Sequence, residues 1–211
     1  MITTDHIKEL KHITYDRHVL EDFYNSIKHK AKPYIEKHTE YLDVDADKSP
    51  YFRCICPKCL PLGKHNHSGD DHKFIRRLDR FNNPEVERLT KLLEPITKTS
   101  VPNFPVLWIY EPGFTLPPHK DFARKCSIMV PILPAKGGAT VNIYNDDLPV
   151  IEKENYQTVE HNDEYLIGSH VYNTNYPTAL NAHRVIHGVQ NQDTVRVFIN
   201  FSGYLDWNLV D

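Results

Sequence analysis

The segment Tyr110-Glu-Pro-Gly-Phe-Thr-Leu-Pro-Pro-His-Lys-Asp121 sets an imidazole and a carboxylate two residues apart, directly after the apolar run Val106-Leu-Trp-Ile-Tyr110. Side chains at i and i+2 of a strand leave the same face, so His119 and Asp121 can aim at one point. Two imidazoles and one carboxylate with open positions opposite suit a non-haem Fe(II) site. The second imidazole is expected far along the chain, on a strand that folds back beside this one. His187, in His183-Arg-Val-Ile-His187-Gly-Val, is well placed to supply it. A His-x-Asp pair alone says little in a chain with 13 histidines. Its setting adds weight: a turn at Gly113 precedes it, and Pro117 and Pro118 stiffen the entry.

Arg196 is the other group with chemistry to offer. It lies in the β-prone run Val195-Arg-Val-Phe-Ile-Asn-Phe-Ser202, where Phe198, Asn200 and Ser202 share its face. Val195, Val197, Ile199 and Phe201 form the opposite face. A guanidinium facing the interior of a barrel needs an anion, and its planar fork matches a carboxylate through two parallel hydrogen bonds. A small dicarboxylate cosubstrate would supply one. The alternative is a surface arginine on an edge strand, weakly paired with Asp193 or Glu164.

The elements that must position these groups fall into two stretches, divided near residue 100. Residues 1–100 read as a helical region with a Cys/His-rich insert at 51–72, packed on a barrel formed by residues 101–211. Val19 to Ile35 carries Leu20, Phe23, Tyr24 and Ile27 at helical spacing, with Pro33 expected to kink or end it. A second helix is signalled by Asn83 as cap, Pro84 in the first turn, and Glu85 and Glu87 at the positive end of the dipole. Val86, Leu89, Leu92 and Leu93 would form its apolar face, and Pro95 would close it. From Val101 the pattern changes to short β-prone runs: Val106–Tyr110, Ser127–Leu133, Thr140–Tyr144, Glu164–Ile167 and Val195–Phe201. Gly, Pro, Asn and Asp separate them, which indicates a sandwich or barrel.

Composition narrows the function classes. Lys and Arg number 25 against 28 Asp and Glu, a net charge of −3, so there is no strong nucleic-acid signal. No long apolar run offers a membrane span, and the charged start Met-Ile-Thr-Thr-Asp-His-Ile-Lys is unlike a secretory signal. Four cysteines in that setting read as reduced thiols or metal ligands, with the cytoplasm as the expected compartment.

The pattern Tyr-x-x-Gly-x-x-Leu-x-x-His-x-Asp, followed by His-x-Val and a strand arginine, resembles the 2-oxoglutarate- and Fe(II)-dependent oxygenase superfamily. Its nearest flavour is the prolyl hydroxylase and aspartyl/asparaginyl β-hydroxylase-like branch. The resemblance spans about residues 105–204. It implies an α+β, mainly β protein: a double-stranded β-helix (jelly-roll, cupin-like) with N-terminal helices. It also implies that His119, Asp121 and His187 bind Fe(II) and that Arg196 pairs with the distal carboxylate of 2-oxoglutarate. Tyr110, Thr140, Asn142 or Tyr144 would line the cosubstrate pocket. Arg124 would contact substrate or cosubstrate, or else be a solvated charge at the barrel mouth. The activity implied is a dioxygenase that consumes O2 and 2-oxoglutarate, hydroxylates a protein side chain or small amino-acid-like molecule, and releases succinate and CO2. Two features depart from the pattern. Members often carry a small hydroxyl residue two positions after the arginine, where this chain has Phe198, so another group, with Tyr110 a candidate, must complete the carboxylate site. His183 also competes with His187 as distal ligand, although the following Gly-Val and the spacing to Arg196 fit His187 better.

The insert Cys54-Ile-Cys56-Pro-Lys-Cys59, with His65, His67 and His72 after it, has a knuckle spacing that suits structural zinc. A second Cys-x2-Cys pair is absent, and the other reading is a loop near the site's mouth. The basic stretch His72-Lys-Phe-Ile-Arg-Arg-Leu-Asp-Arg80 suits either an acidic substrate or a solvated face. Two further functions stay open at this level: a jelly-roll metal enzyme that uses no 2-oxoglutarate, and a non-catalytic module stabilised by zinc.

Overall fold

The computed structural model describes residues 1–33, 75–78, 81–94, 96, 105–113, 115–119, 126–134, 139–148, 150–153, 156–159, 163–172, 175–190, 193–203, 207 and 210. Helix α1 (Arg17–Ile27) begins where the Asp16 carboxylate accepts from the amides of His18 and Val19. It buries Leu20, Phe23, Tyr24 and Ile27, the spacing the sequence shows. It stops at Ile27, well before Ile35. A single 3-10 turn follows over Lys28–Lys30, and Pro33 lies in a short strand. Proline has no amide to continue a helix and disfavours helical backbone in the residue before it.

Helix α2 (Asn83–Leu92) is capped by Asn82, one residue earlier than the sequence suggests. The Asn82 side chain accepts from the Glu85 amide while the Glu85 carboxylate accepts from the Asn82 amide, a reciprocal capping box. Lys30 also binds the Glu85 carboxylate. Burial pushes the acidity of Glu85 down, but Lys30 and the Asn82 amide outweigh it and hold the group below its usual range. Asn82→Ala removes one half of the box. It is expected to cost about 1 kcal/mol and to lower the thermal midpoint by roughly 2–4 °C in a domain of this size, read from a melting curve.

The strands are β1 (Ile7–Glu9), β2 (Lys32–Pro33), β3 (Ile75–Leu78), β4 (Val106–Tyr110), β5 (Thr115–His119), β6 (Cys126–Leu133), β7 (Thr140–Tyr144), β8 (Val150–Lys153), β9 (Tyr156–Val159), β10 (Leu166–Val171), β11 (Thr178–Leu180), β12 (Ile186–Gln190) and β13 (Arg196–Gly203). The protein is thus mostly β, with few helices and antiparallel pairing throughout. A seven-stranded sheet runs β1-β11-β6-β13-β4-β3-β2, a four-stranded sheet runs β10-β7-β12-β5, and β8 and β9 form a hairpin. The expected strand at Glu164–Ile167 is shifted. Asp163–Tyr165 form a 3-10 turn, and the strand runs from Leu166 to Val171. The basic stretch contributes β3, which pairs with β4 inside the large sheet. Among the described residues no helix is long and apolar enough to cross a membrane.

Alternation along the strands of the large sheet makes two cores. Leu107, Ile109, Ile128, Val130, Ile132, Val197, Ile199 and Phe201 pack under Leu20, Phe23, Ile27, Leu89 and Leu93 of the helical layer. The other face of the same strands carries Trp108, Tyr110, Met129 and Phe198, which meet Val141, Ile143, Val185 and Val189 of the small sheet. This second, inter-sheet core holds the groups with chemistry.

Candidate metal and anion site

The pairing of β5 with β12 sets the backbone of His119 directly opposite that of His187. Strand β5 lies at the edge of the small sheet, where Pro117 and Pro118 are tolerated because an edge strand has one unpaired side. A register shift between His187 and Val189 interrupts the ladder beside this pair. The two histidine segments, remote in sequence, are therefore neighbours in the sheet. Asp121, Arg124 and the side chain of His119 lie outside the described residues, as do Cys54, Cys56, Cys59, His65, His67 and His72. Among the described residues no group of three or more His, Cys, Asp or Glu side chains comes together.

His187 is 4% exposed. It pairs in register with Ile143 of β7, and cross-strand partners share a face. Ile143, Val185 and Val189 all belong to the inter-sheet core, so His187 faces the space between the sheets. Its Nδ1 lies 3.0 Å from the carbonyl oxygen of Val185. A carbonyl only accepts, so Nδ1 is the donor in this contact, the arrangement that orients a histidine to bind a metal through Nε2. His183, by contrast, is exposed in the turn before β12.

Arg196 is also 4% exposed and stands opposite Tyr110 in the β13–β4 register. Its guanidinium carbon lies 4.2 Å from the ring centre of Tyr172, 4.3 Å from that of Phe198 and 5.8 Å from that of Tyr110. One terminal nitrogen sits 3.7 Å from Met129 Sδ, a weak acceptor. Among the described residues no carboxylate pairs with it; Asp193 and Glu164, the partners of the surface reading, are both exposed. Burial lowers the basicity of the guanidinium, and Tyr172 and Tyr110 push it back up. Among the described residues the buried Tyr172 hydroxyl makes no well-formed hydrogen bond, and the Arg196 guanidinium lies beside it. Burial raises the pKa of the hydroxyl, opposed by the neighbouring guanidinium.

Of the pocket residues the resemblance implied, the structure brings Tyr110 to Arg196 and sets the three of β7 apart. Thr140, Asn142 and Tyr144 alternate with Val141 and Ile143, and it is Val141 and Ile143 that share the inter-sheet core with Tyr110 and Phe198. Tyr144 instead packs with Leu148 and Ile186. Asn142 stands opposite Gly188 and Ser169, and its Oδ1 accepts from Ser169 Oγ at 2.7 Å. Thr140 stands opposite Gln190 and Val171, both exposed. Sequence reasoning missed Tyr172 and Met129. Nothing local marks either: alternation from Ile167 selects Ser169 and Val171, not Tyr172.

No family model matches the chain, and no curated protein matches it. Solved structures similar to it include the following two. One is a prolyl-4-hydroxylase from Pseudomonas putida, 8% identical over 92% of this chain and 90% of that chain, with a TM-score of 0.47. The other is a prolyl hydroxylase from Trichoplax adhaerens in complex with a hypoxia inducible factor oxygen degradation domain peptide fragment. It is 12% identical over 64% of each chain, with a TM-score of 0.39.

Proposed function

We propose that the chain is an Fe(II)- and 2-oxoglutarate-dependent dioxygenase built on a double-stranded β-helix. Strand pairing supports the fold: β4 pairs with β13, β5 with β12, β6 with β11 and β7 with β10. First with last and second with second-last is the nesting of one long hairpin rolled into two sheets, the jelly-roll plan.

The observation that carries the function is the pair of buried groups in the inter-sheet space. Arg196 is a desolvated cation with donors only and, among the described residues, no carboxylate beside it. His187 donates from Nδ1 as an oriented metal ligand would, and its backbone is paired with that of His119. These residues fit both implied groups. His119, Asp121 and His187 would hold the iron, and Arg196 would bind the distal carboxylate of 2-oxoglutarate. When bound, the iron and cosubstrate supply the oxidising power for hydroxylation, with succinate and CO2 as by-products. The protein's own part is positional. Val185 fixes the ring of His187 through its carbonyl. The rings of Tyr172 and Phe198 pack against the Arg196 guanidinium and hold it in place. Trp108, Met129, Phe198 and Val189 surround it with buried apolar surface, and low polarity strengthens charge interactions. Following the resemblance of the chain, the favoured substrate is a protein side chain or a small amino-acid-like molecule.

Anaerobic addition of Fe(II) and then 2-oxoglutarate tests this reading. A visible charge-transfer band that requires both additions is expected, with succinate formed once air is admitted. A protein that binds zinc but develops no band, and that gains no thermal protection from 2-oxoglutarate, would instead be the zinc-stabilised module.

A further inference from the structure

Two buried donors meet in the inter-sheet core with no strong acceptor between them among the described residues. Among the described residues the Arg196 guanidinium meets one weak acceptor, Met129 Sδ at 3.7 Å, and has the Tyr172 hydroxyl beside it. Among the described residues the Tyr172 hydroxyl makes no well-formed hydrogen bond; it lies beside the guanidinium, whose carbon is 4.2 Å from the ring centre, and each group favours the charged form of the other. A buried cation and a buried hydroxyl set side by side, with no carboxylate next to them among the described residues, are short of an acceptor. One water would satisfy the hydroxyl but leave the charge uncompensated; a carboxylate satisfies both. Phe198 occupies the position where the family pattern places a small hydroxyl, and its ring stacks on the guanidinium at 4.3 Å. Tyr110 stands farther off at 5.8 Å, with its ring edge-on to Phe198.

We propose that Tyr172 is the second holder of the cosubstrate's distal carboxylate, donating its hydroxyl beside Arg196 in place of the small hydroxyl residue that Phe198 displaces. This rests on the 2-oxoglutarate reading above. It adds a residue that directly follows β10 rather than one from the arginine's own strand. Tyr172 is thus a cosubstrate-binding residue, and the pocket reads the far end of the acid through two separate segments.

The test is equilibrium binding to the manganese(II)-loaded protein without dioxygen, so that nothing turns over. Two ligands are compared by calorimetry: 2-oxoglutarate, and 2-oxobutyrate, which keeps the chelating end and lacks the distal carboxylate. Tyr172→Phe should weaken 2-oxoglutarate about tenfold or more, the worth of one hydrogen bond to a charged group. It should leave 2-oxobutyrate unchanged. Because it deletes only a buried, unsatisfied oxygen, the variant should melt no lower than wild type. Tyr110→Phe should cost 2-oxoglutarate less than Tyr172→Phe does. Unchanged 2-oxoglutarate affinity in Tyr172→Phe, an equal loss for both ligands, or a larger loss in Tyr110→Phe each overturns the assignment while the cosubstrate reading stands. If the wild-type protein fails to bind 2-oxoglutarate, or binds it no better than 2-oxobutyrate, the cosubstrate reading falls and takes this assignment with it.

Discussion

Arg196→Met is expected to abolish measurable 2-oxoglutarate affinity and to leave the folded protein at least as stable as wild type. The two halves have different physical sources. A bidentate guanidinium–carboxylate contact comprises two charge-assisted hydrogen bonds, each worth about 1.5–3 kcal/mol. Losing both corresponds to roughly a 10²–10⁴-fold rise in Kd. Stability moves the other way. A guanidinium buried to 4% exposure, with no carboxylate beside it among the described residues, carries a desolvation cost of several kcal/mol. The faces of Tyr172 and Phe198, at 4.2 and 4.3 Å, return part of it, up to about 2 kcal/mol each. Methionine fills similar space without the charge. Thermal melting and calorimetry of the same variant check both halves. A variant that melts far lower yet still binds 2-oxoglutarate would show that Arg196 holds the fold together and has no ligand.

The second large effect separates the two downstream histidines. His187→Ala is expected to cut iron uptake and succinate formation by at least about 100-fold, the upper range for losing a metal ligand's supporting partner and so a floor for losing a ligand itself. His183→Ala should stay within about twofold, in keeping with a surface substitution. The difference comes from placement. His187 is buried in β12, faces the inter-sheet core and has its ring oriented by the Val185 carbonyl. His183 is exposed in the preceding turn. His187→Ala also leaves the Val185 carbonyl without that partner, at a stability cost of about 1–3 kcal/mol, so iron stoichiometry should be measured on protein shown to be folded. Full activity in His187→Ala, or its loss in His183→Ala, would reassign the distal ligand.

Much of the local structure is legible in the residues. The limits of β4 and β7 match the β-prone runs Val106–Tyr110 and Thr140–Tyr144. The two faces of β13 separate as its alternation implies: Val197, Ile199 and Phe201 lie under the helices, and Phe198 lies between the sheets. Helix α1 buries the apolar positions seen at helical spacing. Strands β1, β2 and β3 were not legible. They are short, and they hold their place through pairing, β1 with β11, β3 with β4 and β2 with β3, rather than through a pattern of their own.

What the sequence determined by itself is whatever depends on near neighbours along the chain: strand period, helix caps, and the pairing of a rare residue type with a regular position, as with Arg196. Which face of a strand looks into the site is a different matter. In β7 both faces are buried, Val141 and Ile143 on one and Asn142 and Tyr144 on the other, so alternation divides the residues but does not say which set meets the cavity. The meeting of Tyr172 with Arg196 likewise awaited the folded chain, as did the register that sets the expected neighbours His119 and His187 opposite each other across the β5–β12 ladder. Such contacts are set by long-range strand pairing, whose partners are chosen by burying two sheets together, and no local spacing encodes that choice.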